Sequence, residues 1–258
     1  GCSSPKKDKE GKTEETEVTG VPEDKQDVEK EVKEFIYPLP TPVKLTKMLN
    51  KAGAAYIYDL TNPVDNIDKY FTEKAKALNL GVYGADLSYA GTYHKTQETM
   101  YHIEVVKKLM DELAISSTFN ENFVQRIEAN LENKDSLVSI ITESYQETYQ
   151  FLNKNNKEHI ALLVVAGGWI EGIYLASQLA LTSENNQEIK EIILQQKEAF
   201  QKLISILETN KDKKELNELL QEMQGLKTIY EKTGEELNDD QLQELADEAE
   251  TLRNTITQ

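Results

Sequence analysis

One stretch of the chain limits its fold more than any other. Residues 160–181 read IALLVVAGGWIEGIYLASQLAL, twenty-two positions with a single charge, Glu171. A run this long and apolar either crosses a membrane or sits at the centre of a protein. Three features favour the centre. Glu171 lies mid-run, where a charge is costly in lipid. The flanks carry no strong Lys/Arg asymmetry. The segments on both sides are amphipathic and need a core to pack on. Residues 158–182 are therefore expected to form a helix buried on most sides. Gly168, Gly172, Ala176 and Ala180 recur every four residues and offer a ribbon of small side chains for close helix packing.

The rest of the folded part reads as helices around this one. Thr41-Pro42 predicts an N-cap and first helical residue for a helix to about Ala52. Asn62-Pro63 predicts a second helix to about Asn79, with Leu80-Gly81 as its stop. A long helix is predicted over 83–114. Thr118 and Glu121 fit a capping box for a helix over 119–132, and Asp135 fits a cap for the next. Three amphipathic helices follow 182. The first carries Ile189, Ile192, Ile193 and Phe200, the second Leu216, Leu219, Met223 and Tyr230, and the third, from Asp239 or Asp240, Leu242, Leu245, Leu252 and Ile256. No run alternates with period two for long, and no internal repeat is evident. The fold class is all-α: a bundle of about eight helices around the buried segment 158–182. The expected organisation is a tether over 1–34 and one helical domain over 35–258, of which 185–258 forms a peripheral subdomain or part of the same body.

Residues 3–34 hold almost no large apolar side chain. Such a segment cannot bury enough surface to offset its ordering entropy, so a disordered tether is expected there. It is preceded by Gly1-Cys2-Ser3-Ser4, and Cys2 is the one cysteine of the chain. A disulfide within the chain is impossible, so the fold must rest on its packed core. The opening resembles the processed start of a bacterial lipoprotein, in which a small residue precedes the cysteine and the thiol carries a diacylglycerol. That resemblance implies a covalent acyl lipid on Cys2 and attachment to a membrane. The charged stretch Lys6-Lys7-Asp8-Lys9-Glu10 resembles the signal that takes some Bacteroidota lipoproteins to the cell surface.

The net charge is −17, from 46 acidic and 29 basic residues. With no basic face to displace phosphate counterions, nucleic acid is disfavoured as a partner. From Glu208 onward fourteen acids face six bases, a pattern ordinarily found on a solvated helical surface.

Polar residues on apolar or aromatic-rich helices are the candidates for a site. Glu171 on a buried helix needs a partner or a proton; a Tyr hydroxyl or a Lys is the expected partner, and a ligand-binding carboxylate is the alternative. Seven of the twelve tyrosines lie between Tyr56 and Tyr101. Asp86, Tyr89 and Tyr93 are spaced to share a helix face, as a structural cluster or, with Trp169 and Glu171, as the lining of a small-ligand pocket. His94, Glu98 and His102 follow at i, i+4 and i+8, so on one helix they would drift along a single face and could hold a metal, with Glu171 as a further ligand; a solvated stripe is the ordinary alternative. There is no G-x-S-x-G elbow, P-loop, H-E-x-x-H or dinucleotide fingerprint, and no recognisable pair of catalytic base and nucleophile.

The succession YPLP (37–40), KAGAAYIYDLTNP (51–63), KALNLGVYGADLSY (76–89) and GGWIEGIYLA (167–176) resembles an uncharacterised family of Bacteroidota envelope lipoproteins. The resemblance spans about 35–182. It implies placement in the envelope and no particular chemistry. The function expected is thus a lipid-anchored, non-enzymatic binding or scaffold component of an outer-membrane assembly, with an envelope protein as partner and the periplasmic or cell-surface side left open. A receptor for a small ligand, and a metal-dependent enzyme using His94, Glu98 and His102, are the alternatives.

Overall fold

In the computed structural model the described residues are Gly1, 42–115 and 117–258, without side chains for 117–120. Cys2, the tether expected over 1–34, the YPLP stretch, the Thr41 cap and the Thr118 side chain lie outside the described residues. The described residues are mostly helical and contain no strand. Ten α-helices occur among the described residues: α1 (Pro42–Lys51), α2 (Glu73–Thr92), α3 (Thr96–Glu112), α4 (Ser117–Glu128), α5 (Lys134–Lys154), α6 (Glu158–Thr182), α7 (Gln187–Thr209), α8 (Lys214–Glu222), α9 (Gln224–Lys232) and α10 (Asp239–Thr257). Two 3₁₀ turns, Tyr58–Leu60 and Val64–Lys69, connect α1 to α2. Buried apolar side chains from Val43 to Ile256 form one continuous cluster, so the last helices share the core of the first.

The segment 158–182 is the buried central helix the sequence predicts. It is long and apolar enough to cross a membrane, yet 94% of its most apolar window is buried inside the protein. It has a companion. Every residue of α2 from Ala77 to Thr92 is also buried, so the core is a crossed pair, α2 on α6, with the other helices around it. At the crossing, a methyl group on Gly81 would overlap the Val164 carbonyl oxygen, and one on Gly167 would overlap the Leu78 carbonyl oxygen. Backbone lies on backbone there, which only glycine permits. The small-residue ribbon begins at this crossing, where a methyl on Gly168 would lie 3.4 Å from the Gly81 carbonyl oxygen, and it has a second neighbour. Gly168 and Gly172 face α1, where an added methyl would meet Pro42 Cγ at 3.3 Å and Leu45 Cδ2 at 2.8 Å respectively.

Several expected boundaries are corrected. Leu80-Gly81 does not end a helix; α2 runs straight through it. Asn62-Pro63 opens a 3₁₀ turn, and α2 starts later, where the Thr72 side chain accepts the Ala75 N–H. The long helix over 83–114 is broken at residues 93–95. His94 adopts a left-handed φ of 55°, its N–H reaches Gly91 O, and the Lys95 N–H reaches Ala90 O, the double closure that terminates a helix. The same device recurs at Ala114 and Asn156. The expected single helix over 216–230 is divided at Met223 into α8 and α9. The cap of α5 is Asn133, which accepts the Ser136 N–H, rather than Asp135. That of α10 is Asn238, in a reciprocal capping box with Gln241.

Candidate functional site

Three ionisable side chains from distant parts of the chain meet in the core. Asp86 lies mid-way along α2 and Glu171 mid-way along α6, both with no exposure to solvent, and Arg253 lies in the last turns of α10 with 8% exposure. Arg253 Nε donates to Glu171 Oε2 at 3.0 Å and Nη2 to Oε1 at 3.3 Å, a two-pronged pair. Nη2 also donates to the Leu60 carbonyl at 3.2 Å. The guanidinium lies over the Tyr174 ring, 4.7 Å from its centroid. Asp86 Oδ2 accepts the Asn62 N–H at 2.9 Å, and the Asp86 and Glu171 carboxyls are close enough to bear directly on each other's ionisation.

The electrostatics follow from this geometry. Burial, reinforced by the charge on Glu171, pushes the Asp86 carboxyl well above the usual carboxylate range, against the pull of Arg253. Burial pushes Glu171 upward as well, and Arg253 draws it back. For Arg253 burial disfavours the charge, but Glu171 more than offsets it and the guanidinium is held protonated.

A ring of neutral hydrogen bonds surrounds the triad and seats α10. Asn79 Nδ2 donates to Ile256 O at 2.7 Å, and Tyr70 OH donates to Thr257 O at 3.1 Å. These satisfy carbonyls at the end of a helix that have no partner within it. Tyr70 OH in turn accepts from Asn62 Nδ2, and Tyr83 OH donates to Pro63 O. Arg253, Tyr70 and Asn62 thus pin the connection over 58–70 between α2 and α10.

The five residues named for a small-ligand pocket are distributed over separate environments. Asp86 and Glu171 come together. Tyr89 and Tyr93 stack with Tyr56, at centroid distances of 4.5 and 5.6 Å from it, and use their hydroxyls on the main chain. Tyr89 OH accepts the Ile57 N–H and donates to Ala55 O, and Tyr93 OH donates to Ala54 O. Trp169 packs instead against Phe200, 5.0 Å between centroids, and against Tyr230. The expectation that Glu171 would pair with a Tyr or Lys is corrected: its partner is Arg253.

The proposed metal stripe does not share one helix. His94 is exposed in the left-handed link before α3, Glu98 is half-buried in the first turn of α3, and His102 is buried one turn further on. Burial lowers His102 to about 4, and its Nδ1 has no hydrogen-bond partner. Glu171, the further ligand, is engaged by Arg253. Among the described residues no group of three or more His, Cys, Asp or Glu is arranged to hold a metal ion. An open groove of about 790 Å³ runs between α4 and α5, beside Arg126, Gln150 and Lys154, and contains none of the residues named from the sequence.

Arg253 escaped the sequence reading, although a signal was present. It is one of two arginines in a chain whose other basic residues are lysines. It also follows Ala249 by four residues, on the apolar stripe of α10, where a guanidinium needs a buried anion. Comparison with protein-family models, with curated proteins and with solved structures found no match.

Proposed function

We propose that the protein is a non-enzymatic binding or scaffold component of a bacterial outer-membrane assembly, anchored by an acyl lipid on Cys2. The observation that carries the reading is a set of aromatic side chains left outside a core that is otherwise well filled. Tyr58, Phe71 and Tyr101 are 58%, 83% and 44% exposed. Two belong to the connection between α1 and α2. The third is on α3, which is tied to that connection by an ion pair between Lys108 and Asp68. Aromatic side chains are enriched at protein interfaces. The core side chains Glu171 and Arg253 are engaged with each other, and the Tyr89 and Tyr93 hydroxyls with the main chain, so these groups brace the fold. Placement in the envelope rests on Cys2 with its Ser-Ser and polar flank, and on the resemblance carried by YPLP and GGWIEGIYLA. The long apolar helix α6 is occupied as core, and in this reading the membrane attachment is made through Cys2.

Two measurements test this. Membrane fractionation should find the protein with the outer membrane and the Cys2→Ala variant released; retention of that variant in the membrane overturns the anchor. A photoreactive residue placed at Phe71, Tyr58 or Tyr101 in the native envelope should give one common crosslinked partner, absent when it is placed at the exposed Glu198. Equal labelling at all four positions, or none, overturns the docking role.

A further inference from the structure

We propose that Asp86 enters the fold as a neutral carboxylic acid whose proton is held between its Oδ1 and the Glu171 carboxylate, so that the seat of α10 closes by taking up one proton. Geometry and charge carry this. The site buries two carboxyls and one guanidinium. Arg253 is committed to both oxygens of Glu171, and the Asn62 N–H is committed to Asp86 Oδ2. Asp86 Oδ1 is left buried with no donor among its neighbours. Two ionised carboxylates would place a net negative charge in the driest part of the core, at a cost that no hydrogen bond there offsets. A single proton on Asp86 removes the excess charge and converts the orphaned oxygen into a donor toward Glu171. The arrangement is the carboxyl–carboxylate pair expected when like charges share one site.

No other group facing the pair can supply this proton near neutrality. Tyr83 of α2, Tyr145 of α5, Tyr174 of α6 and Tyr70 of the connection surround it, and burial raises each hydroxyl above its ordinary value of 10.0. Tyr56 and Tyr89, further along the same face, are raised likewise. His102 of α3 lies behind Tyr83 and is neutral there. The remaining charged neighbour on α10, Glu250, is exposed. The lysines of α1, Lys44, Lys47 and Lys51, are exposed, and its Thr46 hydroxyl is shared with Thr92.

The consequence is a proton-linked helix seat. The unfolded Asp86 ionises near its ordinary value of ~3.9. The contribution is therefore complete below that pH and lost as pH rises toward the folded value. Asp86→Asn tests it directly. The amide keeps an oxygen for the Asn62 N–H and gives Glu171 a permanent N–H donor, with no proton to lose. Unfolding by urea should show the wild-type unfolding constant rising about tenfold per pH unit relative to Asp86→Asn across roughly pH 5–7. In the wild-type protein labelled with ¹³C-aspartate, one aspartate carboxyl should give the signal of a protonated acid at pH 7. Parallel pH profiles for wild type and Asp86→Asn overturn the proposal, as does flattening of the profile by Glu171→Gln in place of Asp86→Asn. The spectrum decides the matter alone if Asp86→Asn does not fold: a wild-type protein with every aspartate ionised at pH 7 also overturns it.

Discussion

Arg253 Nε meets Glu171 Oε2 at 3.0 Å across a sequence separation of 82 residues, and this contact joins the last helix to the central one. Both partners are buried, so the pair is a requirement of the fold more than a source of net stability: losing one member leaves the other charge in the core. Arg253→Met is expected to cost about 3–5 kcal/mol by chemical denaturation. Adding Glu171→Leu should recover part of that loss. Independent, additive losses in the double variant would show that the two side chains do not act as a pair.

The crossing of α2 and α6 gives a sharper contrast. Gly81→Ala and Gly167→Ala each force a methyl into a carbonyl group of the opposing helix. Each should lose about 3 kcal/mol or more, beyond the ordinary cost of overpacking against side chains. Gly91→Ala lies on the same helix as Gly81 but meets only Ile141 Cδ1, at 3.4 Å. It should be tolerated and can gain up to about 1 kcal/mol from helix propensity. Thermal melts of the three variants check the ordering.

In the tyrosine cluster the hydroxyls are not equivalent. Tyr89 OH holds both the Ile57 N–H and the Ala55 carbonyl, whereas Tyr56 OH is buried with no partner. Tyr89→Phe should therefore cost about 1–3 kcal/mol through the stranded main-chain groups. Tyr56→Phe should be neutral or slightly stabilising. Denaturation midpoints of the two variants distinguish them.

His102 sets the acid limb of stability. Its folded value of about 4 lies below the ordinary 6.5, so the unfolded chain binds the extra proton and stability falls as pH drops from about 6.5 to about 4. The total is about 3 kcal/mol. His102→Phe should flatten this limb in a pH series of urea titrations. The Asp86 proton acts with the opposite sign over an overlapping window, so the two effects partly cancel in the wild type and separate only in the variants.

The fold class was legible because α6 is apolar all round and the later helices carry clean stripes, such as Leu216, Leu219 and Leu220. The second central helix was not. α2 contains Asn79, Asp86, Ser88 and three glycines, so its composition resembles a half-exposed helix. Its burial becomes intelligible only through partners far away in the chain: Ile256 O for Asn79, and Asn62 N–H for Asp86. Two of the three triad members, Asp86 and Glu171, were legible and the third was not. Glu171 stands out against an apolar background, while Arg253 sits in an acidic, polar helix where a basic residue attracts no notice. The break at 93–95 was hidden because a left-handed terminator is usually glycine or asparagine, and here it is His94.

The route of the chain through the triad also sets a timetable for synthesis. Asp86 and Glu171 are made first, and Arg253 follows Glu171 by 82 residues. At a synthesis rate of about 5–20 residues per second the two acids wait roughly 4–16 s for the cation that lets them be buried together. Until then the Glu171 carboxylate on α6 has no guanidinium to pair with. The pairing that seats α10 on α6 is thus among the later contacts the chain can make.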